Sequence, residues 1–166
     1  MTNFTPPLNN TFVQDNLARE GITLPTPATS VANYVGYTVM GNAVVISGQL
    51  PMKDGAIVYE GHVGDTVSIE DGYAAARLCA VNILTQLYQA VDGDWSRIVK
   101  CVRLGGFVAS PAHFKDHPRI INGASDLMVA ILGDAGRHAR AAVGVSSLPL
   151  GAAVEVEAMF EILPSQ

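Results

Sequence analysis

The pattern of apolar and polar residues along the chain predicts an α+β protein. Two runs rich in β-branched residues, 33–40 and 43–51, flank the turn dipeptide Gly41-Asn42 and predict a hairpin. Residues 68–91 and 116–133 repeat apolar side chains near the helical period and end at turn residues, so each predicts a helix.

The remaining strands follow from alternation. A short strand is predicted at 57–59 and a long one at 98–109, where Gly105-Gly106 predicts a bulge or bend. Residues 138–158 predict two strands joined by a Pro-Gly turn, that is, a second hairpin. The order βββαβαββ predicts one sheet with both helices on a single face.

The N-terminal segment differs in composition from the rest. Residues 1–10 are rich in Pro and Asn, and Thr11 to Glu20 predicts a short amphipathic helix that ends at Gly21. We therefore expect residues 1–30 to form an arm that covers the edge of a main domain at 31–166.

Ionisable side chains interrupt the two predicted C-terminal strands. Arg140 shares one face of its strand with Ala142, while Glu155 and Glu157 alternate with apolar residues on the next strand. These residues fit two hypotheses: a solvated sheet face, or a small pocket that binds an acid.

Composition narrows the class of protein. With 166 residues the chain suits one domain, and 49% hydrophobic against 15% charged residues favours an oligomer. The net charge of −5 and the scattered Lys and Arg argue against a nucleic-acid partner. No basic segment followed by an apolar one is present and no apolar run could cross a bilayer, so we expect a cytoplasmic protein without a membrane partner.

Metal and disulfide chemistry is not expected. Cys79 and Cys101 have neither metal-ligand spacing nor close pairing, and they predict reduced core thiols. His62 has no second His or Cys at ligand spacing, so no metal site is predicted.

Four short motifs in this order resemble those of the Rid family of reactive-intermediate deaminases, also called the YjgF or endoribonuclease L-PSP family. The resemblance covers roughly residues 31–162. It is carried by Tyr34, the Ser47-Gly48-Gln49-Leu50-Pro51 run, Asn122, and the series of Arg140, Leu148-Pro149 and Val154-Glu155-Val156-Glu157.

The resemblance implies a chorismate-mutase-like fold, a homotrimer, and ligand clefts between neighbouring subunits. It also implies a hydrolase that converts unstable enamines or imines, such as 2-aminoacrylate, to 2-keto acids and ammonia. Its partner is then a small imine or 2-keto acid, and no cofactor is expected because positioning a reactive substrate and one water suffices.

Carried over to this chain, the resemblance implies that Arg140 binds the substrate carboxylate, because its planar guanidinium can donate two parallel hydrogen bonds. Glu155 holds or activates the attacking water. The backbone at Gly48 and Ala142 orients the imine, while Tyr34 and Asn122 shape the pocket. Each of these residues also has a structural alternative: Gly48 can end a strand, Tyr34 can pack, and Asn122 can satisfy a backbone group.

Two departures indicate a divergent subgroup. Ala142 stands where the best-known deaminases often carry cysteine, and His138 stands where many members have proline. We expect His138 to lie at the surface, with a second polar group of the pocket as the alternative. A trimer that binds small acids without catalysis is the alternative function. An endoribonuclease is disfavoured by the acidic charge and the lack of a His pair.

Overall fold

A five-stranded mixed sheet forms the body of the protein in the computed structural model, which describes residues 8–27 and 33–164. The helices are α1 (Asn10–Arg19), α2 (Ile69–Ala90) and α3 (His117–Leu132). The strands are β1 (Tyr37–Met40), β2 (Ala43–Gln49), β3 (Met52–Lys53), β4 (Ala56–Ile57), β5 (Ile98–Ala109), β6 (Ala139–Val145) and β7 (Val154–Ile162). The large sheet has the order β1-β2-β7-β5-β6, and β3 pairs with β4 separately.

The α+β class and the mixed sheet are confirmed, and the described chain has three α-helices. Besides α2 and α3 these include α1, the short helix predicted at Thr11 to Glu20, which packs on α3, where Asn16 Nδ2 donates to Ile131 O at 3.0 Å. Its apolar side, with Val13 and Leu17, joins the buried core. The predicted boundary at residues 30 and 31 lies outside the described residues, as do residues 1–7 of the Pro- and Asn-rich segment 1–10.

The helix α2 has the start that its sequence predicts. Ser68 Oγ accepts a hydrogen bond from the Asp71 backbone N–H at 3.0 Å, which satisfies one of the free donors of the first turn. Two acidic residues, Glu70 and Asp71, complement the positive end of the helix. The wide Ala-rich side then buries Ile83, Leu87 and their neighbours against the sheet and α3.

The first predicted hairpin is confirmed: β1 and β2 pair antiparallel, with Met40 opposite Ala43. The second is wrong, because β5 lies between β6 and β7 in the sheet. The connection from β6 does turn at Pro149–Gly151, but its residues bond to the 59–61 segment instead of closing a hairpin. The alternation of apolar and polar residues indicates where a strand lies, but it does not indicate which strand it pairs with.

The segment β5-α3-β6 is a parallel crossover unit. Strands β5 and β6 run parallel, with Leu104 opposite Arg140, and α3 connects them. Pro118 lies in the first turn of α3, where its missing N–H costs nothing. The helix stops at Gly133, whose φ of 60° suits a residue without Cβ. This crossover makes β6 an edge strand of the sheet.

Two smaller predictions are also wrong. Gly105 and Gly106 form no bulge, because the β5–β7 register is continuous there and shifts instead between Ile98 and Lys100 and between Cys101 and Arg103. Gly106 is needed for packing, since a Cβ would come within 2.5 Å of the Ile121 side chain. The expected strand at 57–59 is reduced to β4, which pairs for two residues.

The two faces of the sheet differ. Residues that alternate toward α2 and α3 are buried, among them Ile46, Leu104 and Phe160. The opposite, open face carries Phe107, which is half-buried, and Val143, which is 46% exposed. Part of the apolar surface of the sheet therefore faces outward in the single described chain.

The close approach of α2 and α3 gives a prediction for stability. A Cβ at Gly123 would overlap the backbone carbonyl of Tyr73, which cannot move without displacing α2. We expect Gly123→Ala to lower the free energy of unfolding by about 2 kcal/mol or more, measured by urea denaturation.

Gly72→Ala is the matched control for that measurement. Its Cβ would meet only side-chain methyl groups, at 3.0–3.1 Å. Alanine also favours the helix by about 1 kcal/mol over glycine. Equal destabilisation by both variants would show that the backbone contact at Gly123 does not limit the packing of the two helices.

Candidate functional site

Arg140 projects from the edge strand β6 toward α3. Its Nη1 donates to Asn122 Oδ1 at 2.8 Å and to Ser125 Oγ at 3.1 Å. These two bonds use both Nη1 hydrogens, so the guanidinium keeps its Nε–Nη2 edge for a ligand. The side chain is exposed, and this edge matches the two oxygens of a carboxylate.

His138 supports this arrangement through Ser125. His138 Nδ1 lies 2.6 Å from the Gly136 carbonyl, which only accepts, so Nδ1 carries the proton. Nε2 then accepts from the Ser125 hydroxyl at 2.9 Å, and the Ser125 oxygen keeps its lone pairs for Arg140. We call Asn122, Ser125, His138 and Arg140 the arginine cluster.

The electrostatics of the cluster favour that protonation state. Burial lowers the pKa of His138, the hydrogen bond to Gly136 opposes this, and the positive charge of Arg140 lowers the pKa further. A neutral imidazole can accept from Ser125, whereas an imidazolium cannot.

Of the four residues in the cluster, sequence reasoning singled out Arg140 and Asn122 as site candidates but not Ser125. His138 is half-buried and hydrogen-bonded, so the structure favours its alternative placement, as a polar group behind Arg140, over an exposed surface position. Asn122 is exposed and bonds to Arg140, so it does not serve merely to satisfy the backbone. Ser125 follows Asn122 by three residues on α3, and that spacing, which places both on one helix face, could have indicated it.

Glu155 lies on β7, on the open face of the sheet. A Cβ at Gly48 would overlap Glu155 Oε1, so the missing side chain of Gly48 makes room for this carboxylate. Gly48 lies where the β2–β7 register shifts, between Ile46 and Gln49. The structure thus brings Gly48 and Glu155 together and gives the glycine a use other than ending a strand.

Burial raises the pKa of Glu155, and the nearby negative charge of Glu157 raises it further. Glu157 is paired with Arg103, whose Nη1 lies 3.0 Å from Oε1. Glu155 is therefore the carboxylate on this face whose raised pKa favours a role in proton transfer.

Arg140 and Glu155 do not meet within one chain. Arg140 shares its row across the sheet with Leu104, on the helix face, whereas Glu155 and Val143 flank Phe107 on the open face. The Cα atoms of Arg140 and Glu155 are two strands apart across the sheet and three residues apart along it, a distance of roughly 14 Å. A ligand that contacts both side chains therefore needs a second copy of the chain.

The other two predicted site residues are placed differently. Ala142 lies two residues beyond Arg140 on the same face of β6 and packs partly against the core. Tyr34 precedes β1 and is 57% exposed. Among the described residues no hydrogen bond or ring contact joins Tyr34 to either half of the site.

A cleft that sequence reasoning missed opens beyond the arginine cluster. It has a volume of about 300 Å³ and lies where β5 and β6 end and α3 begins. At its wall Ser110 Oγ lies 3.1 Å from His117 Nε2. Its lining comprises Ser110, Pro111, Ala112, Phe114, His117, Gly144, Val145 and Ser146.

Neither a metal-binding cluster of side chains nor a membrane-spanning helix is found in the described part of the chain. Residues 8–27 and 33–164 contain no group of three His, Cys, Asp or Glu side chains placed to hold a metal ion. Within the same ranges no helix has both the length and the hydropathy needed to span a bilayer. Cys79 and Cys101 are buried free thiols, and burial raises the pKa of Cys101 to about 12.

The sheet order, the crossover unit and the cationic edge strand define an α+β protein of the chorismate-mutase-like type. Residues 14–162 match the family described as "YjgF/chorismate mutase-like, putative endoribonuclease", and the chain belongs to that family.

Individual relatives refine this assignment. Protein TCP17 of Trypanosoma cruzi is 44% identical over 151 residues, covering 90% of this chain and 94% of that protein. Protein Atu1372 of Agrobacterium tumefaciens, of unknown function, has a crystal structure with a TM-score of 0.87 at 47% identity, covering 92% of this chain and 94% of that one. RidA of an Antarctic Psychrobacter reaches a TM-score of 0.57 at 25% identity, covering 82% and 94%. The higher identity to the first two fits a divergent subgroup.

The arginine cluster makes a prediction that needs no ligand. Arg140→Gln removes the positive charge that lowers the pKa of His138, so this pKa should rise toward, without reaching, the ordinary 6.5, since burial remains. NMR titration of the His138 ring measures it. Arg19→Gln, which removes an exposed charge on α1, should leave the His138 titration unchanged. A wild-type His138 that titrates like a solvated imidazole would contradict the described cluster.

Proposed function

We propose that the protein hydrolyses small 2-imino acids to 2-keto acids and ammonia. The observation that carries the proposal is the guanidinium of Arg140, which Asn122 and Ser125 hold while its Nε–Nη2 edge stays available. A carboxylate is the ligand that this edge selects, because it accepts two parallel charge-assisted bonds.

The chemistry requires one water and one proton carrier. Water adds to the imine carbon and gives a proton to the Glu155 carboxylate, which passes it to the nitrogen. In the resulting carbinolamine, Glu155 takes the hydroxyl proton and returns it to the amino nitrogen. The C=O bond then forms, the C–N bond breaks and ammonia leaves. The raised pKa of Glu155 suits both transfers. The backbone of the edge strand at Ala142 orients the imine, and we assign Tyr34, which is exposed in the single chain, to the wall of the pocket between copies.

We further infer that each site is built from two copies. Arg140 comes from one subunit and Glu155, with Gly48 beside it, from the next. The uncovered apolar residues of the open face, such as Val143, and the unpaired edge of β6 support assembly of this kind. Repeated around a threefold axis, one such contact yields the homotrimer with three clefts that the family resemblance implies.

A binding protein without catalysis is the second candidate. One observation favours it: the carboxylate-binding half of the site is complete within a single chain, whereas the proton-transfer half lies on the other face. Tight binding of 2-keto acids without turnover of any imine would identify this function.

Mixing two inactive variants tests the two-copy site. Arg140→Ala and Glu155→Gln should each abolish accelerated keto-acid release from imines that an amino-acid oxidase generates. If the variants are unfolded together and refolded as a mixture, about a quarter of the sites in random trimers regain both residues. Each variant refolded alone is the control. A site within one chain gives no recovery, and unaltered rates in Arg140→Ala would reject the proposal itself.

The pH dependence of kcat/KM tests Glu155. Activity needs its carboxylate, so activity falls as pH drops through the raised pKa. Glu157→Gln removes a charge that raises this pKa and should shift the acid limb toward lower pH. Glu161→Gln, which is on the same face and likewise ion-paired but lies farther along β7 from Glu155, is the matched control and should not shift it. An acid limb that stays in place in Glu157→Gln would assign the titration to another group.

A further inference from the structure

The cleft beside His117 shares a face of β6 with the arginine cluster. Arg140, Ala142 and Gly144 alternate to the same side of the strand, in steps of about 6.6 Å. The helix α3 lies along this side: its Asn122 bonds to Arg140, and its His117 ring lies directly over Gly144. A ligand anchored at Arg140 and extended along β6 is therefore directed toward the cleft.

The cleft is shaped by a glycine. A Cβ at Gly144 would overlap His117 Nε2 and lie 3.0 Å from Ser110 Oγ, so a larger residue would displace the Ser110–His117 pair. Phe114 holds the imidazole from the other side in an edge-to-face contact, with centroids 5.2 Å apart. Ser110 is only 8% exposed, and its hydroxyl is fixed between His117 Nε2 and the Val108 carbonyl.

The chemistry of the lining selects an uncharged group. Pro111, Phe114 and Val145 provide apolar walls, and Ser110 with His117 provides one polar position. The residues that line the cleft include no Lys, Arg, Asp or Glu, so a charged end would lose hydration and meet only the Ser110–His117 pair.

We propose that this cleft is the subsite for the substrate side chain, and that it selects 2-imino acids with long, unbranched, uncharged side chains. The proposal rests on the function proposed above and names its substrate class. A side chain of four to five heavy atoms, fully extended, spans most of the roughly 6.6 Å from Ala142 to Gly144 along the strand. The imines of methionine and glutamine fit this description, and the glutamine amide can bond to the Ser110–His117 pair. The imine of alanine leaves the cleft empty.

The test compares kcat/KM for imines generated from alanine, methionine, glutamine and glutamate. Wild type should prefer the methionine and glutamine imines to the alanine imine at least tenfold, and should disfavour the charged glutamate imine. Ala112→Trp fills the cleft from an exposed position and should reduce the methionine-to-alanine ratio at least tenfold. Ala18→Trp, an exposed position on α1, is the control and should leave the ratio unchanged.

A second variant separates the polar position from the apolar walls. Ser110→Ala should reduce the glutamine-to-methionine ratio about fivefold, because the amide loses a hydrogen-bond partner while the methionine chain does not. Ratios that are equal in wild type and Ala112→Trp would overturn the subsite while leaving imine hydrolysis intact.

Failure of the proposed function has a different signature. If no imine is hydrolysed, calorimetry with the 2-keto acids that carry the alanine and methionine side chains replaces the kinetic assay. A methionine-type acid that binds at least tenfold more tightly, with the preference lost in Ala112→Trp, would support the subsite in a binding protein. Equal affinities would overturn it there too.

Discussion

The parallel pairing of β5 with β6 is the constraint on which the candidate site depends. A parallel pair needs a crossover, and α3 provides it, so one helix runs along the same strand edge that carries Arg140. The carboxyl ends of β5 and β6 then meet beside the start of α3, which leaves the cleft at His117. In open sheets with parallel strands this is the position where ligands commonly bind.

The same pairing explains why the site divides into two halves. Because β5 separates β6 from β7, the cation and the carboxylate are carried by strands that do not touch. Alternation then assigns them to opposite faces, Arg140 with Leu104 and Glu155 with Phe107. The single chain thus presents two separate surfaces, which the proposed assembly of identical copies would join.

Local signals in the sequence predicted most of the elements but not their partners. The Ser68 cap, the Gly41-Asn42 turn and the helical periodicity before Gly133 are short-range features, and the structure confirms each. The predicted C-terminal hairpin is wrong, because two strands on either side of a turn have the same sequence pattern whether or not they pair with each other. Long-range contacts determine the strand pairing, here the hydrogen bonds between the 59–61 segment and residues 151–153.

The site residues divide along the same line. Arg140 and Asn122 could be identified from motifs, whereas Ser125 and the burial of His138 became visible only when α3 was placed against β6. The contact of Gly48 with Glu155 depends on a register shift between β2 and β7, which no local pattern specifies.

The two hydrogen bonds on Arg140 Nη1 also affect the thermodynamics of binding. A free arginine side chain loses up to about 2 kcal/mol of rotational entropy when a ligand immobilises it. Here Asn122 and Ser125 restrict those rotations before any ligand arrives, so this entropy is lost when the chain folds and not when a ligand binds. If a carboxylate binds here as proposed, its affinity is prepared by the fold, through Ser125 and the His138 ring behind it.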